Sequence, residues 1–270
     1  MTTPNPEMDA CLEQYYNAYD ENGRLTSHHG QVEYLTTMKY LRDRLTPDTK
    51  ICEIGAGTGR YSLALAADGY DVTAVELIKH NLDILKAGIT EKMRIRTHEG
   101  NALDLSFLDG DTFDCTLLLG PLYHLITEEE RAAALTEAVR ITKPGGYIFA
   151  AYCIADATVV EFIFKKNNLS RVLEAGMMNT ETFDLYTTPK ELFVMVRKSD
   201  IDRMLKTLAL PVERETYLAA DGAANFMRET VDAMDEETFS WFMKWHLSVC
   251  EHPDLVGATH HSLDILRKKA

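Results

Sequence analysis

From Lys50 onward, short apolar runs alternate with stretches whose apolar positions recur every three to four residues. The first pattern predicts buried strands, and the second predicts helices that lay one face on a sheet. The order is strand 51–54, helix 61–67, strand 71–76, helix 78–87, strand 93–97, strand 113–119, helix 127–141 and strand 146–152. Such alternation specifies an α/β architecture with a parallel, doubly wound sheet and right-handed crossovers. Local signals agree: Thr127 and Glu130 have capping-box spacing, and Pro144-Gly145-Gly146 makes a sharp turn into the next strand.

The flanks are less regular. Residues 7–46 carry Leu12, Tyr15, Tyr16 and Tyr19, then Val32, Tyr34, Leu35, Met38 and Leu41, at helical spacing. They predict two amphipathic cover helices, with turns at Asp20-Glu21-Asn22-Gly23 and Ser27-His28-His29-Gly30. After residue 153, an insertion over 155–208 reads as a helix 155–178, an apolar stretch within 183–196, and a helix capped by Ser199. Strand 213–218 and strand 261–267 then bring the sheet to seven strands, the last two paired antiparallel. About forty residues separate them, longer than a hairpin needs, and 222–251 is expected to form a helical lid. Within it Phe239, Trp241, Phe242, Met243, Trp245, Leu247 and Val249 cover nearly the whole circumference of one helix, which predicts burial on every side.

Composition narrows the function. The 270 residues have 46% hydrophobic and 26% charged positions, which fits one soluble globular domain over 1–270. A formal net charge of −14 repels phosphate backbones, so neither a nucleic-acid partner nor a membrane surface is expected. The five cysteines are odd in number and widely spaced, three of them within apolar strands, and no transmembrane-length run or leader pattern occurs. Together these predict a cytoplasmic protein with reduced thiols. Oligomeric state is not legible.

The chemistry starts at Glu53-Ile54-Gly55-Ala56-Gly57-Thr58-Gly59-Arg60. Glycines at alternate positions permit positive φ and remove the Cβ atoms that would hold a ligand away from the turn and the helix start. The dinucleotide fingerprint needs a glycine where Arg60 stands, and Glu53 disfavours an anionic pyrophosphate while favouring a cation. This pattern resembles motif I of the class I S-adenosylmethionine-dependent methyltransferases, in the small-molecule branch that includes the ubiquinone and menaquinone biosynthesis type. The likeness covers roughly residues 45–153 and implies a Rossmann-like fold with S-adenosyl-L-methionine as cofactor.

On that resemblance, residues 50–153 form the cofactor-binding core, with Glu53, Gly55, Ala56, Gly57, Thr58 and Gly59 around the cofactor. Glu76, at a strand end, accepts the ribose hydroxyls, Leu77 lies beside the adenine, Asn101 and Ala102 meet its edge, and Leu119 ends the strand before Gly120-Pro121. Tyr123 and His124 follow that strand over the crevice and are candidate catalytic residues, His124 first as a proton acceptor. Tyr16, His28, His29, Trp241, Phe242 and Trp245 are expected around a small, largely apolar or aromatic acceptor. No metal site is expected, because adjacent histidines on a strand face opposite ways and no acidic partner accompanies His260-His261. A non-catalytic cofactor-binding regulator, an RNA methyltransferase and a nicotinamide dehydrogenase are the alternatives.

Overall fold

The computed structural model describes residues 5–19, 23 and 25–270. The expected turn at Asp20-Glu21-Asn22-Gly23 therefore lies, except for Gly23, outside the described residues. Two helices lead in, α1 (Pro6–Ala18) and α2 (His28–Arg42), capped by the Asn5 and Ser27 side chains. The core follows as β1 (Lys50–Ile54), α3 (Arg60–Ala67), β2 (Asp71–Glu76), α4 (Lys79–Ala87), β3 (Arg94–Glu99), β4 (Phe113–Leu118), α5 (Glu128–Ile141) and β5 (Thr142–Ile154). Thr127 caps α5 with the reciprocal Glu130 bond expected from its spacing.

The strands form one sheet in the order β3-β2-β1-β4-β5-β8-β7, with β7 (Val212–Ala219) and β8 (His261–Lys268) antiparallel to one another. β8 is also antiparallel to β5, and every pairing among β1 to β5 is parallel. The seven expected strands are all present, joined by a two-residue β6 (Met195–Val196) beside the end of β5. α5 and α8 (Lys198–Leu208) cover one face of the sheet, and α2 and α3 the other. Central strands buried on both faces explain why β1, β2 and β4 read as continuous apolar runs.

The insertion departs from expectation. Instead of one helix over 155–178 there is α6 (Ala155–Thr158), a π-helical turn over Val159–Lys165 and α7 (Leu169–Glu174). The residue before α8 is Arg197, whose backbone N–H is accepted by Asp200, so Ser199 is not the cap. Between β7 and β8 lie α9 (Arg228–Asp232), α10 (Glu236–Val249) and α11 (Pro253–Val256). Among the described residues no helix is long and apolar enough to cross a membrane.

Candidate functional site

Strand order reverses between β1 and β4, and the loops leaving their carboxyl ends meet over that switch point, where open α/β sheets form their crevice. Gly55 has φ +72°, and a Cβ there would lie 2.6 Å from Pro121 Cγ, so glycine is what lets the two loops touch. Gly57, at φ +55°, donates its N–H to Glu76 Oε2 at 2.7 Å, and Ile78 N–H reaches Glu76 Oε1 at 2.8 Å. The carboxylate at the end of β2 is thereby fixed by two backbone amides while remaining in the wall of the crevice.

This cleft is lined by Gly55, Gly57, Glu76, Leu77, Asn101 and Ala102, six of the residues expected around the cofactor, together with Tyr123 and His124. Five expected members are elsewhere. Gly59 is tight for packing, since a Cβ there would meet Leu85 Cγ of α4 at 2.7 Å; Ala56 joins Ala74 and Leu85 in the core. Thr58 is buried and Leu119 packs against the α2–α3 side of the sheet; neither reaches the cleft wall. Asn101 Oδ1 already accepts the Leu103 N–H at 3.0 Å, fixing the turn that presents Ala102.

Glu53 also turns away from the cleft. It is 2% exposed and accepts a short hydrogen bond from Ser62 Oγ of α3. Burial pushes its carboxyl up to about 8, which disfavours the charged form that its expected role toward a cation requires. Because the folded state holds this proton where the unfolded chain releases it, stability is lost as pH rises from the ordinary carboxylate range through about 8. Wild-type protein should lose melting temperature between about pH 5 and pH 8, and Glu53→Gln should flatten that slope. Identical slopes in a thermal scan would show that Glu53 ionises freely in the fold.

The N-terminal helix was missed as part of this site. Asn5, Met8, Asp9, Leu12 and Tyr16 close the cleft from above and leave it about 110 Å³. That is well below the ~300–1,000 Å³ of usual small-molecule sites. A helix placed by tertiary packing alone, through Met8 and Leu12 against Ile78 and Leu192, leaves no local motif to read.

Next to the cleft lies a larger cavity of about 1120 Å³, also on the edge formed by the ends of β5, β6 and β7 and the start of β8. Tyr16 and Tyr123 stand in the walls of both spaces. His124 Nδ1 donates to the Leu192 carbonyl at 3.1 Å, so its Nε2 accepts the Tyr16 hydroxyl at 2.8 Å, and both ring nitrogens are engaged. Of the other expected acceptor residues, His29 lines the large cavity and is tied to Asp232 Oδ2 at 2.7 Å. His28 instead stacks on Phe239, with ring centroids 4.3 Å apart.

The expectation for α10 fails. Phe239, Met243 and His246 are its buried face and pack against α2 and the turn at Gly222–Met227, whereas Trp241 and Trp245 are 63% and 46% exposed. Trp241, Phe242 and Trp245 line neither cavity. The helix buttresses α2 from outside and is not a lid over the opening. Lys244 over the Trp241 ring, 4.2 Å from its centroid, gives that exposed indole a partner in solvent.

The wall of the large cavity holds a cluster the sequence did not announce. The β7–β8 pairing brings Asp221 to His260 and His261, with one side-chain N or O of each within 4.8 Å of the others. The histidines therefore do have an acidic partner, contrary to expectation. Asp221, however, is already saturated as an acceptor. Oδ1 takes the Thr259 hydroxyl at 2.6 Å and the His260 and His261 N–H groups at 3.0 and 3.1 Å; Oδ2 takes His261 Nδ1–H at 2.7 Å and the Asn225 amide. Both oxygens are thus committed to donors, and the arrangement is that of a carboxylate orienting an imidazole.

Comparison with known proteins agrees with this geometry. A family model described as a methyltransferase domain matches residues 51–146. The chain is 29% identical over 143 residues to a demethylmenaquinone methyltransferase of Clavibacter sepedonicus, spanning 53% of this chain and 56% of that protein. It is 27% identical over 216 residues to a ubiquinone biosynthesis O-methyltransferase of Methylocella silvestris, spanning 75% and 78%. A solved S-adenosylmethionine-dependent methyltransferase of Thermotoga maritima superposes with a TM-score of 0.56 at 17% identity, covering 96% of this chain and 99% of that one, a likeness of fold.

Proposed function

We propose that this chain, whose residues 51–146 match a family model described as a methyltransferase domain, transfers the methyl group of S-adenosylmethionine to a small, largely apolar or aromatic acceptor. The observation that carries this reading is the pair of neighbouring spaces on one sheet edge, with Tyr16 and Tyr123 in the walls of both. The smaller is assigned to the cofactor and the larger to the acceptor. When bound, the sulfonium supplies a methyl group already activated for in-line displacement, so the protein's task is alignment and exclusion of water.

The residues present fit such a ligand. Glu76, held by two amides in the cleft wall, is the carboxylate placed to meet ribose hydroxyls; Leu77, Ile78 and Ala102 offer apolar surface to a base; and Gly57 keeps the loop low. With α1 resting on the cleft, entry requires that helix to lift, and its return would seal the site from water. We further read residues 1–270 as one domain. In it 7–46 covers both sites, 50–153 carries the cofactor, 155–208 supplies Phe162, Tyr186 and Phe193 to the acceptor cavity, and 222–251 adds Asn225 and Arg228 to the cavity wall while α10 supports α2 from outside. The absence of disulfides among five free cysteines supports a cytoplasmic setting.

The test is calorimetry with S-adenosylhomocysteine and with NAD, followed by transfer of labelled methyl from S-adenosylmethionine to a panel of hydroxylated and aminated aromatics and to total RNA. Binding of the first ligand alone, with label on a small aromatic, is expected. NAD binding without S-adenosylhomocysteine binding, or label only on RNA, would overturn the reading.

A further inference from the structure

We propose that the acceptor carries a carboxylate and that Arg228 is the residue that recognises it, which narrows the acceptor to an apolar or aromatic acid. This rests on the reading of the large cavity as the acceptor site. Arg228 opens α9 and stands in the wall of that cavity. Its Nε donates to Asn225 Oδ1 at 2.8 Å, and the Asn225 amide in turn donates to Asp221 Oδ2. The guanidinium is thereby fixed, through a buried asparagine, to the buried carboxylate that follows β7. Its two terminal nitrogens have no partner among the described residues, and no described carboxylate lies within ion-pair distance. An oriented planar fork with an open edge is what bidentate recognition of a carboxylate requires.

The acids of the same wall are already matched. Asp221 is filled by the donors described above, Glu161 lies 3.0 Å from Lys165 Nζ, Glu191 accepts the Thr188 hydroxyl, and Glu33 lies 3.5 Å from His261 Nδ1. The cations are not. Besides Arg228, Lys166 and Lys190 stand in the wall with no acidic partner among the described residues. Burial works against a charge on His261, and Glu33, Cys153 and Asp221 outweigh it, leaving its pKa well above the ordinary imidazole value; that charge has its counter-charges beside it. Burial and then His261 push His260 down to about 4, with Arg228 adding to the effect, so His260 is neutral. What stays unmatched in the wall is positive. One carboxylate on the ligand matches it, whereas the net charge of −14 over the chain disfavours ligands with several negative charges.

The placement suits an anchor at the end of the molecule that does not react. Tyr123, in the walls of both spaces, has its ring centroid 6.2 Å from that of His261, which is 5.0 Å from that of His260. This row leads from the wall shared with the cofactor cleft toward Arg228, whose charge acts on His260. An acceptor held at Arg228 lies along the row with its other end toward the cofactor, and Tyr15, Phe162 and Phe193 take its flat body. Binding energy at a remote group is then converted into alignment for the displacement.

2-Naphthoate and its neutral isostere 2-naphthamide are the probes, titrated by calorimetry into wild-type protein with and without S-adenosylhomocysteine, at low salt and neutral pH. The naphthoate is expected to bind at least about tenfold more tightly than the amide, at one site per chain. Arg228→Gln should bring the two within about twofold of each other while leaving the affinity for the amide as it was, and Arg228→Lys, which keeps the charge without the fork, should keep only part of the preference. Lys244→Gln removes the same charge from the outer face of α10 and should leave the preference whole. An arginine that only braced Asn225 would cost both probes alike, together with melting temperature. Equal binding of the two probes by the wild type, binding of neither, or an undiminished preference in folded Arg228→Gln overturns the proposal. Should Arg228→Gln not fold, an undiminished preference in Arg228→Lys does so. If the preference and its loss in the variant are found while S-adenosylhomocysteine does not bind, the methyltransferase reading falls and the carboxylate site stands.

Discussion

Gly57→Val is expected to raise the dissociation constant for S-adenosylhomocysteine more than about a hundredfold, equivalent to ~2.7 kcal/mol. Two effects combine. The residue sits at φ +55°, where a β-branched side chain is strained by about 1–3 kcal/mol, and the new methyl groups would stand in the cleft wall that the Gly57 backbone now forms. The strain acts on the loop, whose N–H to Glu76 is the bond that holds the turn against β2. Gly57→Ala separates the two, since it keeps most of the φ penalty and adds one small atom. Affinity should therefore fall far less in the alanine variant than in the valine variant. Calorimetry on both, with melting temperatures to verify folding, decides it. Wild-type affinity in folded Gly57→Val would mean that the ligand does not lie on this loop.

How far the site was legible follows from how local each part is. The loop at Gly55–Gly59 and Glu76 are separated by one short helix, and their relation is set by a single βαβ unit with one allowed hand. Sequence spacing alone therefore brings Glu76 to the loop, where its carboxylate is found on the Gly57 amide. Within that loop, spacing could not say which glycine faces the ligand. Gly59 is required by Leu85 from another helix, and Glu53 is claimed by Ser62, which lies one turn into α3.

The side proposed for the acceptor was harder to read because its parts are brought together only by the completed sheet. Asp221 and His261 are forty residues apart, joined by the β7–β8 register, and no motif marks either. The rule that adjacent histidines on a strand diverge holds for a regular strand. His260 precedes the start of β8, where the backbone is bent around the Asp221 carboxylate, so the rule does not apply. α10 was misread for a different reason. Apolar composition on every side signals burial only if no aromatic is tolerated in water, and Trp241 and Trp245 are tolerated there, one beneath a lysine.

Glu76→Ala should weaken S-adenosylhomocysteine by about 2–4 kcal/mol, roughly 30- to 1,000-fold, through loss of two charge-assisted hydrogen bonds to the ribose. The structure adds a second consequence. The same carboxylate accepts the Gly57 and Ile78 N–H groups, so its removal frees two amides, and the variant should also melt at lower temperature. Glu76→Gln is the discriminating partner. Its amide would present N–H to one of those backbone donors, so it cannot satisfy both, and it carries no charge for the ribose. If ribose binding dominates, both variants lose affinity by similar amounts, because both lack the carboxylate. If loop anchoring dominates, the loss follows melting temperature, and raising stability with an unrelated osmolyte restores binding. A loss below about tenfold, ~1.4 kcal/mol, in both folded variants would leave Glu76 as an anchor of the loop alone and move the ribose to another part of the cleft.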